Sequence, residues 1–412
     1  MKRKTLGTIA LVWGFVMVAV LSSTLTLLLS GRAGQTKGTA SRWVTQEEYD
    51  SLQRYRRLDE VRTTLMADYY RDVSEEDLVL GAIRGMTGSL EDPYTFYYTP
   101  EELKRANENN SGNYRGIGIL LQNTAQGTLE VIQVYAGSPA EAAGLMAGDR
   151  ITAVDGTPVN GLDGRSYNEA VSMIRGGEGT SVILTVLRGG EALEIPVKRG
   201  DVSISYARWQ TIEKDIGYIG ISQFTGDASQ VFRQALEAFR GASIAGLVVD
   251  LRNNPGGFLD QVVDMADQLL PEGIVVYVEE RDGARQDYYS DAAYYDVPLA
   301  VLVNENSASA SEILASSVQA FGRGTVVGTN TYGKGVVQSL RTFDEDGAGI
   351  QLTTSSYYDA LGRCPQGVGV QPDLVVEFPS ESIPLDPDPQ GDEQLSAAIA
   401  RLRQGTAQPA EG

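Results

Sequence analysis

The sequence predicts an α/β protein whose main sheet is largely parallel and is preceded by a small β-rich module. From about residue 202, apolar strands such as "IGYIGI", "GLVVDL" and "LAVLVN" alternate with helical stretches such as "DASQVFRQALEAFRG". This alternation is typical of a parallel sheet that helices cover on both faces. From about residue 112, shorter runs such as "GIGILLQ" and "SVILTVLRG" surround two short helical segments, which predicts a compact module over residues 112–200.

The bulk composition fits a globular chain of more than one domain. The chain has 412 residues, of which 42% are hydrophobic, and its 34 basic and 54 acidic residues give a net charge of -20. This charge argues against nucleic acid as a partner. Histidine is absent, and Cys364 is the one cysteine, so no intramolecular disulfide can form.

The N-terminus predicts a membrane anchor. After "MKRK", residues 5–31 carry no charge and are long enough as a helix to cross a hydrocarbon layer of about 30 Å. Basic residues before the run predict a single-pass protein of the cell membrane, with the body on the extracytoplasmic side. A cleaved signal peptide is the competing interpretation, but no A-x-A site closes the run. We therefore expect an anchor at residues 1–31 and a polar tether at 32–44.

The two ends of the remaining chain predict helices. Residues 45–111 form an N-terminal helical region, in which Ser74 and Asp77 resemble a capping box and the connection "SLEDPYTFYYTPEEL" follows. A first helix there has one apolar face, which we expect to pack, formed by Tyr55, Leu58, Leu65 and Tyr69. At the other end, residues 379–412 read as an acidic, proline-rich linker followed by a terminal helix, "QLSAAIARLRQ".

The stretch "NENSASASEILASSV" contains a candidate nucleophile. Ser309 and Glu312 form an S-x-x-E pattern ahead of an apolar helical run, which by itself indicates a capping box. A helix N-terminus is also where a serine gains from the helix dipole, and where the amide of Ala310 could face an oxyanion. Both interpretations use the same local geometry.

Without histidine, a serine nucleophile needs another base. An aliphatic amine can serve if burial lowers its pKa by several units from about 10.4. Lys334 lies between two glycines in "TYGKGVVQS", among apolar residues, which favours burial over the usual solvent exposure. Gln338 follows four positions later and could hydrogen-bond the amine if the segment forms a helical turn, but not if it is fully extended.

The loop "NNPGG" is a candidate for the second oxyanion donor. It follows the apolar strand "GLVVDL", and glycine lets the backbone approach a substrate closely. Gly256 or Gly257 could present an amide opposite Ala310. The simpler interpretation is a tight turn that leads into a helix, and the loop could fill both roles.

The β-rich module carries a candidate peptide-binding loop. Residues Gly116, Ile117, Gly118 and Ile119 could turn backbone amides inward as a nest for a carboxylate, and the adjacent strand edge could accept an extended peptide. A tight entry into a strand is the simpler interpretation of an isolated G-x-G. Arg175 ends the second short helix, where a cation meets the helix dipole favourably.

Two resemblances favour the functional interpretations. "YRGIGI" followed by "SPAEAAGLMAGDRI" resembles a PDZ domain of exported bacterial proteases. Together with "DLRNNPGG", "NENSASASEIL" and "TNTYGKGVVQS", it resembles the carboxyl-terminal processing proteases, or tail-specific proteases, over about residues 48–376. The resemblance implies a crotonase-like (ClpP/crotonase-type) α/β protease core at residues 201–378, with the PDZ domain inserted ahead of it, and a homodimer formed through the terminal helices.

The same resemblance assigns roles to the candidate residues. It implies that Ser309 is the nucleophile, Lys334 the general base and Gln338 the residue that orients the lysine, with Ala310 and the glycine pair as the oxyanion hole. Arg175 would sense bound substrate. The substrates would be proteins or peptides with free C-termini, and no metal or cofactor is expected.

Two other classes of function remain open at this stage. The chain could be a catalytically idle, membrane-tethered scaffold that binds peptides, with Ser309 only a helix cap. It could also transfer acyl groups on a non-protein substrate, since such folds host several chemistries. Cys364 takes a place where the related proteins usually carry a serine-like residue, which we interpret as packing variation.

Overall fold

The computed structural model describes residues 45–124, 128–159, 164–176, 179–384 and 386–406. The chain divides into two compact units, residues 1–82 and 83–412. The predicted anchor at 1–31 and the tether at 32–44 lie outside the described residues. Within the described ranges, no helix combines the length and the apolar character that a membrane crossing requires.

The helices and strands follow the chain in alternating groups. Through the N-terminal region and the small module they are α1 (Gln46–Asp68), α2 (Glu75–Gly88), β1 (Phe96–Tyr98), α3 (Pro100–Ser111), β2 (Asn113–Gly116), β3 (Ile119–Asn123), β4 (Leu129–Val134), α4 (Pro139–Ala142), β5 (Arg150–Val154), β6 (Thr157–Pro158), α5 (Gly164–Ile174), β7 (Ser181–Arg188), β8 (Glu191–Lys198) and β9 (Gly200–Ser203). They continue with β10 (Ala207–Ile212), β11 (Ile216–Ile221), α6 (Ala228–Ala242), β12 (Gly246–Asp250), α7 (Leu259–Asp267), β13 (Gly273–Glu280), β14 (Arg285–Ser290), β15 (Leu299–Val303), α8 (Ala310–Ala320), β16 (Thr325–Gly328), β17 (Val336–Thr342), β18 (Gly349–Asp359), β19 (Leu374–Val375), a 3-10 turn (Ser380–Ser382) and α9 (Glu393–Thr406).

The N-terminal helices form as predicted, but the face of α1 that we expected to pack is exposed. The Asp77 amide donates to Ser74 Oγ at 3.3 Å, as the capping pattern predicts. On α1, the four apolar side chains remain 37–59% exposed: Tyr55, Leu58, Leu65 and Tyr69. The expectation of a packed face is therefore wrong for the described residues.

The predicted connection "SLEDPYTFYYTPEEL" contains two regular elements that the sequence reading missed. β1 pairs antiparallel with β18, and α3 follows it directly. The start of α3 is a second capping box, because Glu102 N donates to Thr99 Oγ1 at 3.3 Å while Thr99 N donates to Glu102 Oε2 at 2.9 Å. Pro100 occupies the first helical position, where its missing N–H costs nothing.

The small β-rich module is an antiparallel sheet with two short helices, in agreement with the prediction. Its strand order is β3-β4-β5-β7-β8, and β6 pairs with β5. β2 and β9 form a separate antiparallel pair that joins the two ends of the module. Apolar side chains from the strands and from α5 form a core of their own.

The main sheet has six strands in the order β10-β11-β12-β15-β16-β19. The β10–β11 pair is antiparallel and every other pair is parallel, in agreement with the predicted largely parallel sheet. Helices α6, α7 and α8 pack on one face of the sheet. On the other face lies α9, through Leu395, Ala398, Ile399 and Leu402. A second sheet, β1-β18-β13-β14 with β17 paired to β18, is antiparallel throughout.

A buried ionic cluster fixes the loop that leaves the carboxyl end of β12. The Arg252 guanidinium, 2% exposed, bonds Asp250 Oδ2 at 2.6 Å and Asp392 Oδ2 at 2.7 Å. Asp392 Oδ1 also accepts from the Leu395 amide at 3.0 Å, at the start of α9. The cluster therefore ties the loop after β12 to the helix on the far face of the sheet.

We expect Arg252→Ala to lower the free energy of unfolding by about 3–5 kcal/mol, because it leaves two buried carboxylates without their partner. Arg233→Ala removes a cation from an ion pair with Asp264 that is 56% and 41% exposed, and should cost at most about 1 kcal/mol. Urea unfolding followed by circular dichroism compares the two variants. Equal losses would contradict an anchoring role for Arg252.

Candidate active site

Two loops meet at one edge of the main sheet because β12 and β15 are parallel neighbours. The loop after β12 contains "NNPGG", and the loop after β15 leads to Ser309. They are joined by two hydrogen bonds to one carbonyl oxygen: Ala308 N donates to Asn254 O at 3.0 Å, and Ser311 Oγ donates to the same oxygen at 2.9 Å. The serine and the glycine pair, far apart in sequence, are thus neighbours in the fold.

Ser309 precedes α8 in a strained backbone conformation. Its φ of 55° and ψ of -113° are unusual for a residue with a side chain. Such strain is found where a nucleophile is held on a sharp turn between strand and helix. The Glu312 side chain caps the Ser309 amide, and the Glu312 amide bonds the Ser309 carbonyl oxygen at 2.8 Å.

The glycine pair packs directly against the serine. A Cβ on Gly256 would lie 2.8 Å from Ser309 Cβ and 2.7 Å from Ala308 O, and one on Gly257 would lie 2.2 Å from Phe224 O. Both residues also have positive φ, 105° and 151°. Glycine is therefore required at both positions by space and by backbone conformation.

The two glycine amides differ in what they bond. Gly256 N donates to Asn254 Oδ1 at 2.9 Å. In the described part of the chain, the amides of Gly257 and Ala310 donate to no protein acceptor, and both residues line the same cavity as Ser309. Of the two glycines left open by the sequence, Gly257 thus has the amide that is available to an oxyanion.

Lys334 lines this cavity, which has a volume of about 530 Å³. Its side chain is half-buried, and its Nζ lies 4.5 Å from the centre of the Tyr94 ring. Burial lowers the pKa of Lys334, and attraction to Asp92 and Glu312 offsets part of this effect. The amine is thereby moved toward the neutral form that a general base requires.

The glycines on either side of Lys334 admit close neighbours. Gly333 has a φ of 92°. A Cβ on Gly335 would lie 2.6 Å from Cys364 Sγ, so the half-buried thiol packs directly against the lysine segment. This contact agrees with the interpretation of Cys364 as a packing residue.

Glu312 joins the serine segment to the lysine segment. Its carboxylate is fully buried and accepts four hydrogen bonds. Oε2 accepts from Ser309 N and Lys334 N, both at 2.8 Å, and Oε1 accepts from Thr331 Oγ1 at 2.6 Å and Gly333 N at 2.8 Å. Burial raises the pKa of the Glu312 carboxyl, and the four donors act in the opposite direction.

Gln338 lines the same cavity, but it lies on a strand and not on the helical turn that the sequence left open. Residues 336–342 form strand β17, so that alternative is wrong. A register shift between Val337 and Gln338 interrupts the pairing of this strand with β18. Gln338 Nε2 donates to Thr353 Oγ1 at 3.1 Å, which orients the side-chain amide.

Tyr357 is a further site residue that sequence reasoning missed. It is 1% exposed, and its Oη lies 2.6 Å from Lys334 O and 3.1 Å from Ser309 O. Burial raises the pKa of Tyr357 well above its ordinary value, so the phenol keeps its proton as a donor. The strand-like run "QLTTSSYYDA" carries no local signal that distinguishes this tyrosine from its neighbours.

The predicted peptide-binding residues lie at one end of the small module. Gly116 pairs with Gly200 in the β2–β9 ribbon, and Ile119 begins β3. Between them, the Ile117 side chain is buried and Gly118 has a φ of 81°. Residues 116–119 thus connect the β2–β9 pair to the first strand of the module's larger sheet.

Arg175 lies beside strand β2, which precedes this loop. Its guanidinium is 5.3 Å from the centre of the Tyr114 ring, and both residues line a cleft with α3 residues Glu101 and Lys104.

Among the described residues, no group of three or more His, Cys, Asp or Glu side chains is arranged to hold a metal ion.

Three regions of the chain match known families. Residues 215–376 match "Peptidase family S41", residues 130–188 match "PDZ domain", and residues 24–102 match "Activating protease CtpB N-terminal domain". These ranges overlap the core, the small module and the N-terminal region found in the sequence.

Curated proteins and a solved structure give the same result. The chain is 30% identical over 367 residues to the carboxy-terminal processing protease CtpA of Bacillus subtilis, covering 88% of this chain and 76% of that protein. It is 34% identical over 344 residues to a carboxy-terminal-processing protease of Bartonella bacilliformis, covering 81% and 78%. The structure of a photosystem II D1 C-terminal processing protease is similar at a TM-score of 0.51 and 27% identity, covering 83% of this chain and 96% of that one.

We expect Glu312→Gln to lower kcat/KM at least about tenfold, because the amide offers one acceptor oxygen and turns an NH₂ group toward donors that are bonded now. Glu305→Gln is the matched control, since Glu305 is exposed and accepts from Thr329 Oγ1 at 3.2 Å outside the cavity. Steady-state cleavage of an unstructured protein measures both variants. Wild-type activity in Glu312→Gln would contradict the bridging role.

Proposed function

The chain belongs to peptidase family S41, as a serine-type carboxyl-terminal processing protease with a PDZ domain, and we propose that it cleaves peptide bonds with Ser309 as nucleophile and Lys334 as general base. One observation carries this proposal. Ser309 and Lys334 line one cavity, and their backbone amides donate to the same oxygen of Glu312. A scaffold that only binds peptides has no need of this arrangement.

The proposed reaction begins with proton transfer from the Ser309 hydroxyl to the neutral amine of Lys334. The serine oxygen attacks the peptide carbonyl carbon, and the amides of Gly257 and Ala310 stabilise the negative charge on the carbonyl oxygen. The ammonium then gives its proton to the leaving nitrogen as the C–N bond breaks. Water, activated by the same amine, hydrolyses the acyl-enzyme. Gln338, which lines the same cavity from strand β17 rather than from a helical turn, would orient the amine.

The PDZ domain is proposed to capture the substrate's free C-terminus. Gly116, Ile117, Gly118 and Ile119 would receive the carboxylate, and the peptide would add to the neighbouring strand edge. Arg175 would sense bound substrate, a role that its contact with the Tyr114 ring and its cleft shared with α3 support.

Three further features belong to the same proposal. The protease core would be of the crotonase-like type, with β12 and β15 carrying the oxyanion loop and the nucleophile. Residues 1–31 would anchor the protein in the cell membrane, with the catalytic body on the extracytoplasmic side, where it would process or degrade secreted and envelope proteins. The exposed apolar face of α1 favours a homodimer formed through terminal helices.

We expect Ser309→Ala and Lys334→Ala each to lower kcat/KM by a factor on the order of 10³ or more, because each removes a group that the chemical step requires. The full-length chain in detergent is incubated with an unstructured protein, and mass spectrometry identifies the products. Ser339→Ala and Lys198→Ala, at exposed positions, are the matched controls and should cleave like the wild type. Turnover that survives in both active-site variants would rule out the serine-lysine mechanism.

We expect amidation of a substrate's C-terminus to raise KM by about tenfold or more, because a neutral amide loses the charge-assisted hydrogen bonds of a carboxylate. The same peptide acetylated at its N-terminus is the control and should keep its KM. Indifference to amidation would exclude the loop at 116–119 from substrate capture.

A further inference from the structure

The amine of Lys334 rests on an aromatic face that comes from a distant part of the chain. Tyr94 belongs to the segment ahead of β1, and its ring centre lies 4.5 Å from Lys334 Nζ. Among the described residues, Lys334 forms no salt bridge, and the amine contacts the face of this ring. A cation is attracted to the face of an aromatic ring, whereas a neutral amine gains little there.

The segment that carries Tyr94 is held rigidly. Asp92 Oδ1 accepts from Tyr94 N at 3.0 Å, and Asp92 Oδ2 accepts from Thr95 Oγ1 at 2.7 Å. Thr95, which is buried, in turn accepts from Thr353 N at 3.0 Å, and this bond fixes the segment to β18. Thr353 also accepts a hydrogen bond from Gln338 through its side chain. The segment that carries Tyr94 and the side chain of Gln338 are therefore both held by Thr353.

Several charged or titratable groups act on Lys334 from the elements around it. Asp92 attracts it from the segment before β1, and Glu312 attracts it from α8. Hydrogen bonds and the lysine itself lower the pKa of Asp92 in spite of its burial, so this carboxylate is ionised. Tyr357, on β18, stays protonated, and the Cys364 thiol packs against Gly335 behind the lysine.

We propose that Tyr94 and Asp92 are positioning residues that hold the ammonium form of Lys334 beside Ser309 and thereby strengthen it as a base. This inference rests on the proposed function, because it takes Lys334 as the general base. Burial alone would leave a weak base, since it penalises the ammonium that forms when the serine proton is taken. The ring face and the carboxylate stabilise that ammonium until its proton passes to the leaving nitrogen.

The Tyr94 hydroxyl is not the acting group. Burial, together with a hydrogen bond to Tyr332 and the nearby carboxylates of Asp92 and Glu312, raises the pKa of Tyr94 to about 12, so the phenol remains neutral at the pH where a lysine base works. The ring face, which Phe shares and Leu lacks, is what acts on the amine. Tyr94→Phe and Tyr94→Leu therefore separate the ring from the hydroxyl and from simple packing.

The test is the pH profile of kcat/KM, measured on the full-length chain from about pH 5 to about pH 10. In Tyr94→Leu, loss of the ring makes the ammonium less stable, so the pKa of Lys334 falls. The acid limb should move about one unit to lower pH. The plateau should fall severalfold, because a weaker base accepts the serine proton less readily. Tyr94→Phe should keep the wild-type limb.

Two further variants complete the experiment. Asp92→Asn, which keeps the side-chain shape, should move the limb in the same direction as Tyr94→Leu. Tyr97→Leu is the matched control: Tyr97 is half-buried in the adjacent β1, its ring is 6.4 Å from that of Phe343, and the limb should stay in place. If Tyr94→Leu does not fold, Asp92→Asn and an NMR titration of the Lys334 side chain in Tyr94→Phe still decide the question.

The outcomes are distinct. A limb that moves in Tyr94→Leu and Asp92→Asn, but not in Tyr94→Phe or Tyr97→Leu, supports the proposal. If kcat/KM of Tyr94→Leu falls on the plateau without a shift of the acid limb, Tyr94 acts only through packing. If Tyr94→Phe is as impaired as Tyr94→Leu, the effect belongs to the hydroxyl. Either result overturns the proposal. Full activity in Lys334→Ala would instead overturn the proposed function.

Discussion

The buried carboxylate of Glu312 is the interaction on which the site depends. Ser309 and Lys334 follow different strands of the main sheet, and nothing in either loop alone would bring them together. One oxygen of Glu312 accepts an amide proton from each, and the other oxygen holds Thr331 and Gly333. Removing a carboxylate from water is costly, and four donors at 2.6–2.8 Å are what make this burial tolerable.

Glu312 bridges segments that other contacts also hold in place. Arg252 joins the start of the loop after β12 to Asp250 and to Asp392 at the start of α9, so the loop is anchored through the thickness of the sheet. Gly256 then permits the approach to Ser309 that a side chain would block. Because both sides are fixed, the positive φ of Ser309 is sustained by its surroundings, which is how local strain persists in a fold.

Local patterns predicted the parts of the site that depend on neighbouring residues, and failed for those that depend on distant ones. The S-x-x-E pattern predicted the bond from Ser309 N to Glu312, but Glu312 also bonds Lys334, 22 positions away, which no periodicity encodes. Gln338 was considered through a helical turn, whereas the structure places it on a strand. Tyr94 and Asp92 lie in a segment for which the sequence predicted only a connecting loop.

The environment of Lys334 must satisfy two opposite needs. In the proposed role of a general base, the amine has to be neutral before reaction, which burial favours, and has to carry a proton during reaction, which burial opposes. A wholly apolar pocket would meet the first need and fail the second. The carboxylates of Asp92 and Glu312, which act on the charged form alone, leave the pKa of Lys334 below its ordinary value but limit the fall. The proposed serine-lysine site would therefore need no histidine, because burial and nearby negative charge are balanced around one amine.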